Sequence, residues 1–145
     1  MPVRAIRGAT QLDADEREHL FARTRELVQE VLDANAVDTG ALISILFTCT
    51  PDLVADFPAA AAREMGLGDV PLMCATEIAV PGALPRVVRL MAHAELDVDR
   101  AAVQHVYLHG ATALRKDLAQ SARGRRVRGG GGGPAGGGGG AARGG

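Results

Sequence analysis

Residues 41–49, ALISILFTC, form an almost unbroken apolar run of strand length. A strand that is apolar on both faces must be covered on both faces, which suggests the centre of a sheet. Few helices are available to cover it. One long amphipathic segment runs from about Asp13 to Ala36, with Leu20, Phe21, Leu27, Val28, Val31 and Leu32 as its apolar stripe. A shorter one begins at Pro58, a good first helical residue, and closes at Gly66 or Gly68. Two helices and a terminal helical piece can cover only one sheet face, so partner subunits must bury the other. The core is 47% hydrophobic but only 3% aromatic, hence aliphatic and Ala-rich, and it gains from burial in an oligomer.

The remaining strands fall around this one. Residues 2–8, PVRAIRG, read as a first strand, and Gly8-Ala9-Thr10 leads out of it. Asp13 through Glu16 reads as a capping-box variant with Asp13 as the cap of the long helix. Residues 70–91, VPLMCATEIAVPGALPRVVRLM, read as a hairpin, with strands near Pro71–Thr76 and Arg86–Ala94 and a turn at Pro81-Gly82. Residues 97–102 read as a helical turn or loop, Gln104 to His109 as the fifth strand, and 111–118 as a last short helix. The order β-α-β-α-β-β-β makes an α+β domain over residues 1–121.

Residues 122–145 have a different composition. They hold 13 of the 19 glycines and no patterned apolar residues, so they are expected to be a disordered Gly/Arg-rich tail. The formal net charge of −1 conceals this division: the domain carries 17 acidic against 11 basic residues, and the tail five arginines. The tail has no aromatic platform for bases, so nucleic acid is not an expected partner. No apolar run approaches the roughly 18 residues of a membrane span, and no apolar stretch follows Arg4 and Arg7 as in a signal peptide. Cys49 and Cys74 form no CxxC and read as reduced thiols, consistent with a cytoplasmic protein.

Four polar residues stand on otherwise apolar strands: Arg7, Glu77, Arg89 and Tyr107. Charges among Val, Leu and Met are unfavourable unless paired. They could pair with one another or reach solvent at strand ends. Arg63 and Arg115 add two further cations, and a group of arginines suits a planar carboxylate or phosphate. His105 and His109, four apart on a strand, would lie roughly 13 Å apart, too far to share a metal. The chain has no GxGxxG, Walker or GxSxG motif, and the poly-Gly tail precedes no helix. No cofactor and no metal are expected. An enzyme built from these residues would work by electrostatics and positioning.

Three stretches together resemble the AroH-class chorismate mutases: VRAIRGAT at the start, TPDLVADFPAAAAREMG in the middle and HVYLHGATALRKDL near the end. The hairpin resembles the same family at Cys74, Glu77 and Arg89. The resemblance spans residues 2–118 and carries RGAT, TPDL, FPA, HVYL and LR-x-DL in that order. It implies a five-stranded mixed sheet with helices on one face. It also implies a homotrimeric, barrel-like assembly with active sites between neighbouring subunits. The implied reaction is the [3,3] rearrangement of chorismate to prephenate, leading to phenylalanine and tyrosine.

The resemblance further implies roles. Arg7 and Tyr107 would hold the side-chain carboxylate, Arg89 would face the ether oxygen, and Glu77 would accept from the ring hydroxyl. Cys74 would line the same wall. Phe57, Arg63, Met73, Leu114 and Arg115 would lie at the mouth, with Phe57 and Arg63 supplied by the neighbouring subunit. Two positions depart from the family pattern. Ala60 stands where the family often has Lys, which implies weaker substrate binding with intact chemistry. Lys116 replaces a common Pro, which implies a looser C-terminal segment. Two other readings stay open: a non-catalytic trimeric module that binds small anions at its subunit clefts, and an enzyme like the reactive-intermediate deaminases. Both Glu77 and Cys74 can line one site only if the strand ends or bulges between Ala75 and Glu77, since residues three apart otherwise face opposite ways.

Overall fold

The structure is a computed structural model that describes residues 2–115. Its strands are β1 (Val3–Gln11), β2 (Leu42–Cys49), β3 (Leu72–Thr76), β4 (Val87–Glu95) and β5 (Val106–Leu108). They form one mixed sheet in the order β3-β2-β4-β1-β5. Helix α1 (Arg17–Ala34) and helix α2 (Pro58–Ala62), which continues into a π-type turn over Arg63–Leu67, pack against one face. A five-stranded mixed sheet with few helices is the architecture expected from the sequence.

Strand alternation divides the side chains. Along β4, Val88, Leu90, Ala92 and Ala94 are buried, whereas Arg89, Met91 and His93 are exposed or half-buried. The buried set joins Ile6, Ile45 and Phe47 beneath Leu20, Phe21, Leu27, Val28 and Val31 of α1 in a single core. Gly8 permits the close approach of helix to sheet, because a Cβ there would come within 3.1–3.2 Å of Leu27, Val31 and Leu90. The opposite face is open. It exposes Val3 (51%), Leu46 (38%) and Met73 (67%), apolar groups that the helices do not reach.

Several expectations are corrected. The segment 70–91 is not a hairpin. β3 pairs in parallel with β2, and β2 lies between β3 and β4, pairing antiparallel with the latter. The turn itself is present: Ala83 N–H donates to the Val80 carbonyl at 3.1 Å, with Gly82 at φ 83°. That is the geometry of a Pro-Gly type II turn, which does not match the twist of a two-residue hairpin. β1 does not end at Gly8 but continues to Gln11, paired with β4 throughout. β5 is shorter than expected, because His109 adopts φ 53° and ends it.

The capping box is also absent. Glu16 is the N-cap of α1 and makes no side-chain cap bond. Asp13 instead pairs with Arg23 at 2.9 Å. Asp15 accepts from the Val54 and Ala55 N–H groups at 3.0–3.1 Å, tying the loop before α2 to the start of α1. Lys116 and the Gly/Arg tail lie outside the described residues.

Candidate active site

The open face carries two rows of side chains across the sheet. Register pairs Thr48 with Arg89, Arg89 with Ala9, and Ala9 with Tyr107, placing these four on one line over β2, β4, β1 and β5. The neighbouring line is Leu46, Met91 and Arg7. Between the large groups, Ala9 leaves the sheet floor low. The result is a cavity of about 470 Å³ lined by Arg7, Thr48, Glu77, Arg89, Tyr107 and Leu114 together with apolar groups of the sheet. Polar groups converging on an apolar cleft are the usual composition of a small-molecule site.

Glu77 follows directly after the end of β3 at Thr76 and keeps the parity of exposed Met73, which puts it on the open face at this cavity. Its backbone N–H still donates to the Cys49 carbonyl at 2.9 Å, but the chain then leaves the ladder. The Glu77 Oε1 atom accepts from Thr48 Oγ1 at 2.9 Å and pairs with Arg89 Nε at 2.7 Å. Both contacts use Oε1, so Oε2 is left to accept from another group. The Arg89 fork is oriented through Nε, which leaves its Nη groups as donors toward the cavity. The Glu77 side chain is only 19% exposed, so this ion pair is shielded on the carboxylate side.

A second set of contacts fixes the entry of β4, three residues before Arg89. Arg86 adopts φ 53°, a left-handed conformation unfavourable for a side chain with a Cβ. Its backbone N–H donates to both Asp52 carboxylate oxygens, at 2.9 and 3.2 Å, and its Nε donates to the Leu12 carbonyl at 3.0 Å. Thr50 donates its hydroxyl to Asp52 and accepts from the Val87 N–H at 3.0 Å. Burial raises the Asp52 carboxyl, but the bonds from Thr50 and the Arg86 N–H outweigh it and hold the group below its usual value.

Of the residues expected from the sequence, Arg7, Glu77, Arg89, Tyr107 and Leu114 meet at this cavity. Cys74 does not. It lies two residues from Leu72 on the helix-covered face of β3 and packs against the core, because it stands three residues from Glu77 and alternation turns the two opposite ways. Cys74 shares a separate cavity of about 430 Å³ with Phe57 and Cys49. Burial, and then the neighbouring Cys74, push the Cys49 thiol up to about 12. Arg63 and Arg115 are exposed, as is Met73. Thr48, Thr50 and Asp52 were not singled out by the sequence reading; the Thr-x-Thr-x-Asp spacing at the end of the apolar run was the available signal.

The chain matches the family model described as chorismate mutase type I over residues 3–118. It is 45% identical over 117 residues to the chorismate mutase AroH of Thermus thermophilus, covering 80% of this chain and 96% of that protein. It is 37% identical over 120 residues to the chorismate mutase AroH of Bacillus subtilis, covering 82% and 94%. A solved chorismate mutase from Clostridium thermocellum superposes with a TM-score of 0.74 at 44% identity, covering 75% of this chain and 97% of that one. Strand order, cavity and sequence therefore agree, and the chain belongs to the type I, or AroH-class, chorismate mutases.

Proposed function

We propose that this protein converts chorismate to prephenate by binding the substrate over the Arg89–Tyr107 row and stabilising its polarised transition state. The observation that carries the reading is the convergence of Arg7, Arg89, Tyr107 and Glu77 on one cavity, with Arg89 held by its Nε and its Nη groups left to donate to a ligand. Chorismate is a dicarboxylate, and two arginines at the cleft supply complementary charge. As the C–O bond breaks, negative charge grows on the ether oxygen. A fixed guanidinium aimed there interacts more strongly with the transition state than with the ground state. Glu77 Oε2 accepts from the ring hydroxyl and offsets positive charge developing on the ring. Arg7 and Tyr107 hold the side-chain carboxylate and fold the enolpyruvyl arm over the ring, which favours the reacting geometry. The rearrangement is intramolecular and needs neither a covalent intermediate nor a proton transfer.

The active unit is a homotrimer. The exposed apolar groups on the uncovered sheet face support this, as does the division of the site within one chain. Arg7, Glu77, Arg89 and Tyr107 form one half. Phe57, Arg63, Met73 and Cys74 belong to another part of the surface and complete the neighbouring subunit's cleft, with Leu114 and Arg115 at the mouth. Among the described residues no helix is long and apolar enough to cross a membrane, and we place the reaction in the cytoplasm. Purified protein mixed with chorismate should accelerate the loss of the substrate's absorbance. No acceleration over the uncatalysed rate would overturn the reading and leave an anion-binding module in its place.

A further inference from the structure

A second cavity, of about 490 Å³, opens on the same sheet face beside the first. Arg4, Arg7, Arg100, His93 and His105 line it together with Val3, Ala5 and Met91, and among the described residues no carboxylate does. The domain carries six more acidic than basic residues, so a lining whose charged residues are all basic is not a reflection of its average charge. Elsewhere Arg17, Arg23, Arg25 and Arg89 each sit within ion-pair distance of Asp or Glu, whereas among the described residues Arg63, Arg86 and Arg115 do not. Among the described residues, Arg4, Arg7 and Arg100 form no such pair. Cationic residues gathered around one cavity repel one another, and an anion among them relieves that repulsion.

The donors are also oriented. Arg4 donates from Nε to the Val98 carbonyl at 2.8 Å, which fixes its stem and leaves its Nη groups available. His105 accepts the Arg7 backbone N–H on Nδ1 at 3.0 Å, so its ring proton sits on Nε2 as a further donor. Burial first, and the Arg7 charge second, lower the His105 pKa below its usual 6.5, which keeps the ring neutral at pH 7. Guanidinium forks joined by a neutral imidazole donor suit a small oxyanion.

We propose that this cavity is a second anion site, for a small multiply charged oxyanion of the phosphate or carboxylate class, linked to turnover through Arg7. Arg7 lines both cavities, so an anion in the second draws its guanidinium away from the substrate carboxylate. Binding stands on the cavity alone; its link to turnover rests on the role proposed above for Arg7. The site lies on the face that a trimer would enclose, so the assembled full-length chain is the species to titrate.

Inorganic phosphate and citrate are each titrated at constant ionic strength, and the melting temperature is followed. One or both should raise it in the natural protein, the effective anion identifying the class. The shift should largely disappear in Arg100→Gln, whose side chain has no hydrogen-bond partner among the described residues, and in Arg4→Gln. Turnover provides the second arm: the effective anion should raise the apparent KM for chorismate roughly fivefold or more with kcat unchanged, and Arg100→Gln should abolish this effect. Equal melting shifts in natural and variant proteins would place the anion elsewhere and overturn the proposal. No shift with either anion would also overturn it, the arginines then being neutralised by a partner subunit's carboxylates. A melting shift without a KM change would overturn the link to turnover. The melting arm needs no activity, so it decides the site even if chorismate is not turned over.

Discussion

In the proposed reaction, Arg89 concentrates the chemistry into one side chain. Its Nε is committed to Glu77 at 2.7 Å, and only a fork has further donors to aim at a developing oxyanion. Arg89→Lys keeps the charge but must choose between Glu77 and the substrate. It should lose on the order of 3 kcal/mol of transition-state stabilisation, at least a hundredfold in kcat. Steady-state kinetics check this, with an unchanged melting temperature showing that the fold survives; near-normal turnover would refute the role. Thr48→Val removes one of two donors to Glu77 Oε1. A net hydrogen bond of about 1 kcal/mol predicts a several-fold fall in kcat. Arg7, Glu77, Arg89 and Tyr107 were legible in the sequence because charge or a phenol on an apolar strand stands out. Thr48 was not, because a threonine in a strand is unremarkable until its partner across the sheet is known.

At the scale of elements, the entry of β4 sets where Arg89 lies. Asp52 and Thr50, just past the end of β2, hold Arg86 in its left-handed conformation and so start β4 in register. Asp52→Ala leaves the Arg86 N–H and the Thr50 hydroxyl without their acceptor and should destabilise the fold by about 1–2 kcal/mol, read from urea unfolding. The Asp52 pKa is depressed in the folded state. Its contribution is therefore present above its unfolded value of 3.8 and lost as pH falls through the lower folded value. Asp52→Asn should flatten that acid limb of the melting temperature. All five strands and both helices were legible from periodicity and turn chemistry. The pairing of β3 was not: a Pro-Gly turn between two apolar runs looks like a hairpin locally, and the insertion of β2 between them is a non-local event. The apparent capping box failed for a similar reason, since Asp13 and Asp15 found partners in Arg23 and the Val54–Ala55 backbone.

For the whole molecule, the open sheet face and the division of the site make a single argument for assembly. Sedimentation equilibrium should give the mass of three chains, and Leu46→Asp, which puts a charge on that face, should yield smaller species with little turnover. A stable, active monomer would refute the trimer. The Gly/Arg segment carries no patterned apolar residues. Truncation after Ser121 should therefore leave the assembled mass and kcat nearly unchanged, and a large loss of turnover would show that the segment closes the site. The expectation of a partner rests in the sequence on too few helices for a strand apolar on both faces.

The sequence by itself determined the elements, the aliphatic core and the identity of the charged strand residues, because side-chain period and turn chemistry are local properties. Only the tertiary structure decided which residues meet. Thr48, Arg89, Ala9 and Tyr107 come from four strands and share one row through register alone. Glu77 joins them, and Cys74 does not, because alternation puts residues three apart on opposite faces and leaves Cys74 against the core. The run at 41–49 remains the constraint on everything else. It lies inside the sheet, second in the hydrogen-bonding order, only because β3 and β4 closed on either side of it, and chain closure over such distances leaves no local signature.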